Sequence, residues 1–240
     1  MNKLEPKRIK TKIQSLNPQR WWGDDFDVRF YLISRLKEFN GLKILDVGGG
    51  IGIITSEMDY SNFMVNLDLN MKDLMLCLKN NGKNIHNICG SGGCIPLRSM
   101  SFDMVVCAHL IEALKECDLK NGVGSEMPTV KKLIEEIYRV MKRNGKLFLT
   151  TPNNAYYKTT KMTINELRDV ILPYFSDAKI YFYNTYPRLS KKNRKLNMAN
   201  VIPKLTTKFV DSNKVLTSLL KMDSATDYSV SFFVEATRHD

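Results

Sequence analysis

The chain's pattern predicts a doubly wound α/β fold with a mostly parallel sheet, on three observations. Five short apolar segments alternate with helix-like segments between residues 42 and 151. That alternation requires parallel strands, right-handed crossovers and helices on both faces. The first apolar segment runs into a glycine-rich turn, Asp46-Val47-Gly48-Gly49-Gly50-Ile51-Gly52. The tail then breaks the rhythm. Its two strand-like segments, 179–186 and 229–238, need no helical crossover between them and can pair antiparallel.

Each element has its own signal. Val28, Tyr31, Leu32, Arg35 and Leu36 recur at helical spacing, so a helix runs from about Asp27 to Phe39 and stops at Asn40-Gly41. The first strand covers about 42–48, and a helix is expected from the glycine turn to about Met58. Strands at 63–68 and 84–89 flank a helix over Met71–Lys79, closed by Asn80-Asn81-Gly82. Gly90-Ser91-Gly92-Gly93 turns the chain toward a fourth strand at 103–108. A long loop with room for a short helix leads to a clear amphipathic helix over Val130–Met141, stopped by Asn144-Gly145. The fifth strand spans 146–151 and ends at Pro152, and a helix over 164–175 precedes the terminal pair. The connection at about 187–228 is long for a hairpin and reads as a basic insertion, with a capped short helix over 212–220. The expected organisation is an N-terminal basic arm and helix at 1–40, covering the ligand site, and one domain at 41–240.

The glycine turn carries the first functional signal. Glycines at alternate positions let the backbone approach a ligand, and a helix N-terminus behind the turn favours a carboxylate or phosphate. A dinucleotide fold wants Gly-x-Gly-x-x-Gly. Gly48 and Gly50 fit, but the third position falls on Ile53, too large for close helix–strand packing.

Composition narrows the field. At 240 residues the chain fits one domain or one domain with an appendage. No apolar run approaches the roughly 20 residues that span a bilayer. Residues 1–7 lack the apolar core of a signal peptide, which points to a cytoplasmic protein. Five cysteines, at 77, 89, 94, 107 and 117, form no Cys-x-x-Cys pair, and His86, His109 and His239 do not join them at zinc-finger spacing. No structural metal and no disulfide framework is expected. The net charge is +11, but its placement is uneven. Residues 1–20 carry +5 and 187–223 carry +7, whereas 21–186 hold 20 basic and 19 acidic residues. The basic segments suit nucleic acid, an anionic membrane surface or an acidic substrate, and equally suit solvated arms.

Taken together, Asp46, Gly48, Gly50 and Gly52 read Asp-x-Gly-x-Gly-x-Gly. This resembles motif I of the class I S-adenosylmethionine (SAM)-dependent methyltransferases. Asp68 ends the second strand 20 residues after Gly48. Ile95-Pro96-Leu97 followed by Ser101-Phe102-Asp103 through His109-Leu110-Ile111-Glu112 resembles a stretch of the small-molecule methyltransferases, including quinone-biosynthetic types, with Ala113 replacing their second His. Ile137 through Leu147 resembles the family's Arg-Val-Leu-Lys-Pro-Gly-Gly stretch, with Arg143-Asn144 in place of Pro-Gly.

The resemblance implies a seven-stranded Rossmann-like sheet in the order 3-2-1-4-5-7-6, with SAM as cofactor. It implies that Asp46, Gly48, Gly49, Gly50 and Gly52 face the methionine end, Asp68 accepts the ribose hydroxyls and Leu69 covers the adenine. Ser91 replaces the family's acid for the adenine amino group, and the backbone of Gly92 shares that task. Ala108 and His109 close the site after the fourth strand. His109 is the candidate general base, with capping of the strand as its other reading. One of Trp21 and Trp22 covers the site while the other anchors the arm.

The acceptor stays open. The fourth-strand stretch favours a small-molecule, lipid- or glycan-linked acceptor. RNA is the alternative, through Lys191, Lys192, Arg194 and Lys195 near Tyr183, Tyr186 and Phe209. A non-catalytic SAM-binding scaffold is the third reading. The Asn/Asp-Pro-Pro-aromatic motif of nucleobase amino-methyltransferases and the Cys-Pro pair of cytosine-C5 enzymes are both missing.

Overall fold

The computed structural model describes residues 25–81, 85–123, 126–154, 161–185, 210–211 and 229–240. Helix α1 (Asp25–Leu36) leads into β1 (Lys43–Val47), then β2 (Phe63–Asp68), α2 (Met71–Asn81), β3 (Ile85–Cys89) and β4 (Phe102–Ala108). There follow α3 (Ile111–Lys120), α4 (Pro128–Val140), β5 (Met141–Pro152), α5 (Ile164–Ile171), β6 (Lys179–Thr185), the two-residue β7 (Val210–Asp211) and β8 (Ser229–Thr237). The sheet order is β3-β2-β1-β4-β5-β8-β6-β7. Without the two-residue edge strand this is the expected seven-stranded order. β3, β2, β1, β4 and β5 are parallel, and β8 runs antiparallel between β5 and β6.

Strand alternation divides the core in two. Leu45, Val47, Val105, Cys107, Leu147 and Leu149 pack against Val130, Leu133, Ile134 and Ile137 of α4 and against Leu167 and Ile171 of α5. Ile44, Met64, Met104, Val106, Phe148 and Phe233 face Leu32, Ile33 and Leu36 of α1 and Cys77 of α2. Both faces are covered, which is why the strands read as continuous apolar runs. The sheet reverses its direction of winding between β1 and β4, and the crevice beyond the carboxyl ends of those strands is where such folds place ligands.

Three segments depart from the sequence expectation. No α-helix follows the glycine turn: 51–54 are turns and Thr55–Glu57 is a single 3₁₀ turn. Four of the residues there, Ile51, Ile53, Ile54 and Thr55, are β-branched, and the stretch is too short to repay helix nucleation. The helix N-terminus expected behind the glycines is therefore not formed. Second, the loop after β4 is largely the ten-residue α3. Third, β5 begins at Met141, which pairs with Phe102. Residues 142–145 then bulge before Lys146 pairs with Met104. Asn144 takes φ 60° there, and a Cβ at Gly145 would stand 2.8 Å from the Lys142 carbonyl oxygen.

Candidate active site

The glycine turn is shaped by what lies beneath it. Gly48, Gly50 and Gly52 all take left-handed φ values, between 54° and 76°, which side chains resist. Gly49 is required for a different reason. A Cβ there would collide with Asn66 Oδ1 and would lie 2.6 Å from Asp46 Oδ2. Asp46 is 1 % exposed and Asn66 is fully buried, and the two are register partners across β1 and β2. Asn66 donates to the Gly50 carbonyl at 2.9 Å and to Asn87 Oδ1 at 3.0 Å. A polar row across β1, β2 and β3 thus supports the turn from below.

Asp68 ties the turn to the second strand. Its Oδ2 accepts the Gly50 N–H at 2.9 Å and its Oδ1 accepts the Asn70 N–H at 2.8 Å. Each carboxylate oxygen retains capacity for one more donor. Leu69 beside it is 68 % exposed, a large apolar side chain held at the mouth of the crevice.

The 90–94 turn packs against the same region. Gly90 donates to the Asp68 carbonyl at 3.0 Å. A Cβ at Gly92 would press on Leu133 Cδ1 at 2.8 Å and Val47 Cγ1 at 3.2 Å. The Ser91 hydroxyl accepts the Gly93 N–H at 3.2 Å, so it braces its own turn. Leu110 closes the space between the two glycine segments, within 3.0 Å of a Cβ at Gly48 and 3.5 Å of one at Gly92. The Ile95-Pro96-Leu97 segment is clamped to α4. Glu136 accepts the Ile95 N–H at 2.7 Å, while Arg139 donates to the Ile95 and Leu97 carbonyls.

The end of β4 carries the titratable groups. Ala108 pairs with Thr150 of β5, and the His109 N–H donates to the Thr150 carbonyl at 2.9 Å. His109 takes φ 57°, a left-handed conformation that costs roughly 1 kcal/mol or more outside glycine and persists where the surroundings enforce it. Its side chain is 4 % exposed, and Nδ1 lies 3.2 Å from Glu112 Oε1. The other carboxylate oxygen accepts the Thr151 hydroxyl at 3.1 Å. Burial pushes the Glu112 carboxyl up, but the hydrogen bond and charge of His109, with help from its own N–H and from Lys161, outweigh it and hold the group below the usual glutamate range. Burial, with the charges of Asp46 and Glu112, pushes the neighbouring Cys107 thiol far up, so it stays protonated.

Asp46, Gly48, Gly49, Gly50, Gly52, Asp68, Leu69, Ser91, Gly92, Ala108 and His109 therefore all lie at the carboxyl edge of β1, β2, β3 and β4. Direct contacts link the glycine turn to Asp68, and Leu110 links it to Gly92. Sequence reasoning missed Asn66, Thr151 and the partner role of Glu112. Asn66 had a signal: it shares a strand face with Asp68, two residues on. Trp21, Trp22, Lys191, Lys192, Arg194, Lys195, Tyr186 and Phe209 lie outside the described residues, as do residues 1–24 of the arm and 212–220. Among the described residues no group of three or more His, Cys, Asp or Glu is placed to hold a metal ion, and no helix is long and apolar enough to cross a membrane. All five cysteines are free thiols, with Cys77 and Cys107 buried.

Residues 45–149 match the family model described as a methyltransferase domain. Among curated proteins no sequence matches the chain. Solved structures share the fold at low identity. A SAM-dependent methyltransferase from Aquifex aeolicus is 15 % identical with a TM-score of 0.55, covering 97 % of this chain and 98 % of its own. One from Archaeoglobus fulgidus is 17 % identical with a TM-score of 0.55, over 88 % and 94 %. The N-methyltransferase NodS from Bradyrhizobium japonicum is 10 % identical with a TM-score of 0.56, over 92 % and 100 %.

Proposed function

We propose, on the premise that this chain is a class I SAM-dependent methyltransferase, that its acceptor is a small-molecule, lipid- or glycan-linked nucleophile methylated in the crevice between β1 and β4. The observation that carries this reading is the fold of residues 108–112 over the glycine turn. Leu110 seals against Gly48, and His109 and Glu112 are buried behind it. Such a walled, partly apolar crevice suits a compact acceptor.

The residues present fit SAM. Gly49 lets the turn sit tightly on Asp46 and Asn66, and the left-handed glycines at 48, 50 and 52 add no side chains to it. Asp68 offers one further acceptor site on each oxygen, which suits a vicinal diol. The exposed Leu69 beside it suits an adenine face. When bound, SAM supplies a methyl group activated by a sulfonium. The glycine backbone of 48–52 holds the methionine end, with Asp46 beneath organising the turn. Asp68 takes the ribose, and Ser91 with the Gly92 backbone takes the adenine edge. Because the methyl group is already activated, the protein's chief task is to hold nucleophile and methyl in line and in contact.

RNA is the second reading, and the charge of residues 1–20 and 187–223 favours it. Incubation with methyl-labelled SAM and cell extract, with and without ribonuclease, separates the two. Label in a ribonuclease-resistant, methanol-soluble fraction is expected. Label lost on ribonuclease treatment replaces this reading with RNA. SAM binding without transfer to any fraction replaces it with a non-catalytic scaffold.

A further inference from the structure

We infer that Asn66 is a positioning residue for the methyl donor: oriented by Asn87, it holds the Gly50 peptide in the shape that the donor's methionine end requires. This rests on the proposed reading that the glycine turn faces that end of SAM, and it gives the role to a buried side chain beneath the turn.

Three consecutive residues at the end of β2 hold the turn. The Asn66 side chain donates to the Gly50 carbonyl at 2.9 Å, the Leu67 carbonyl accepts the Gly48 N–H at 2.7 Å, and the Asp68 side chain accepts the Gly50 N–H at 2.9 Å. Gly50 is therefore gripped at both of its backbone polar groups, by two side chains from one face of one strand. Its φ of 54° is one that glycine adopts freely, and glycine leaves that conformation as freely unless its neighbours fix it. Asn66 and Asp68 supply the constraint. A turn already fixed before the ligand arrives costs less to order on binding.

Asn87 gives the amide one orientation. The two N–H groups of Asn66 Nδ2 go to two acceptors, the Gly50 carbonyl and Asn87 Oδ1 at 3.0 Å. Turned over, the amide would set its own oxygen against both of them. Asn66 and Asn87 are register partners on β2 and β3, and the rung before them on the same face, Met64 with Ile85, is apolar and buried. The amide pair thus interrupts an apolar face, and the interruption is costly. Asn66 Oδ1 and Asn87 Nδ2 are both buried atoms with no hydrogen-bond partner among the described residues. Native cores retain few such atoms, and an apolar pair here would avoid both. What an apolar pair could not do is donate to Gly50.

Asn66→Ala tests the assignment, read by calorimetry with SAM and with adenosine, which lacks the methionine part. The variant removes the donor to Gly50 and adds no bulk beneath Gly49. Its dissociation constant for SAM is expected to rise about tenfold, the scale of one hydrogen bond, while that for adenosine, bound at the Asp68 end, changes by less than about twofold. A purely structural role would weaken both ligands alike or neither. Unchanged SAM affinity in the folded variant, or an equal loss for the two ligands, overturns the assignment and leaves the methyltransferase reading intact. Should Asn66→Ala not fold, the half-buried Asn87 decides. Asn87→Leu removes the acceptor that orients the amide and is expected to weaken SAM binding about threefold, whereas Asn87→Asp, which keeps that acceptor, recovers the affinity. Equal SAM affinity in those two variants overturns the assignment. Wild-type protein that binds no SAM would instead sink the underlying reading.

Discussion

Gly49 and Gly93 make a controlled pair. Both are glycines in turns at the carboxyl edge, and neither takes a positive φ. A Cβ at Gly49 meets Asp46 and Asn66, two buried side chains pinned by the sheet, whereas a Cβ at Gly93 finds its nearest atom, Ser91 Oγ, at an ordinary 3.7 Å. Gly49→Ala is therefore expected to destabilise the fold by roughly 1–3 kcal/mol through overpacking and to weaken SAM binding, because the turn must shift. Gly93→Ala should stay within about 0.5 kcal/mol of wild type and keep its SAM affinity. Urea unfolding and calorimetry on the two variants check this, and equal behaviour would contradict it. Asp68→Ala removes an acceptor from both the Gly50 and Asn70 N–H groups and, on the function proposed above, from the ribose as well. It is expected to weaken SAM binding by at least about 100-fold, at roughly 1.4 kcal/mol per tenfold. Full affinity in that variant would refute the cofactor geometry.

Helix α3 shows how elements can hide from a pattern search. Its buried residues are Ile111, Glu112, Lys115 and Asp118, a face at helical spacing that is three-quarters charged. Each charge has a fixed partner. Glu112 pairs with His109. Asp118 accepts the Thr129 N–H and hydroxyl, which caps the start of α4. Lys115 donates to both Glu166 oxygens at 2.7 Å and to the Lys161 carbonyl, which joins α3 to α5. Lys115→Met removes one partner and leaves Glu166 partly desolvated. A loss of roughly 2 kcal/mol is expected, below the range for fully buried pairs because Glu166 is a quarter exposed. Adding Glu166→Gln should restore part of it, and a double-mutant cycle with no coupling would show the pair to be idle. Hydrophobic periodicity could not reveal such a helix, because its buried face is polar. The opposite error occurred after the glycine turn, where the apolar residues Ile51, Ile53 and Ile54 suggested a helix that the β-branched run does not sustain. The strands and α4 were readable because their buried faces are apolar and continuous. Asp46, Asp68 and the glycines were readable from spacing along the chain. Asn66 was readable only as the neighbour of Asp68 on one strand face, and Thr151 and the partner role of Glu112 were not readable, since their contacts run from α3 to β5.

Across the whole molecule, a small set of carboxylates ties helices and loops to the sheet. Glu112 joins α3 to β5, Glu166 joins α5 to α3, Glu136 holds the 95–97 segment to α4, and Asp103 accepts from Lys142 and from the Lys43 N–H. All four are held below their ordinary range. For Glu112, Glu166 and Asp103, burial opposes this and the hydrogen bonds and cations outweigh it. For Glu136 the Arg139 hydrogen bond is the leading cause. The sign of the linkage follows. A carboxyl with a lower value when folded binds fewer protons than in the unfolded chain, between the two values, so stability rises with pH there. The contribution is complete above the unfolded values of about 4 and is lost as pH falls through the lower folded ones. The urea midpoint is therefore expected to be nearly level from pH 8 to 5 and to drop steeply below about pH 4. Glu166→Gln and Glu136→Gln together should lower the midpoint at neutral pH and flatten the acid limb, because two of the four linked protons are gone. If the double variant kept the wild-type slope below pH 4, acid sensitivity would lie elsewhere. Two of the same carboxylates hold the 95–97 segment to α4 and α3 to the end of β5. SAM binding is therefore expected to weaken on the same acid limb, ahead of global unfolding, and calorimetry between pH 5 and 3.5 reads the order of the two losses.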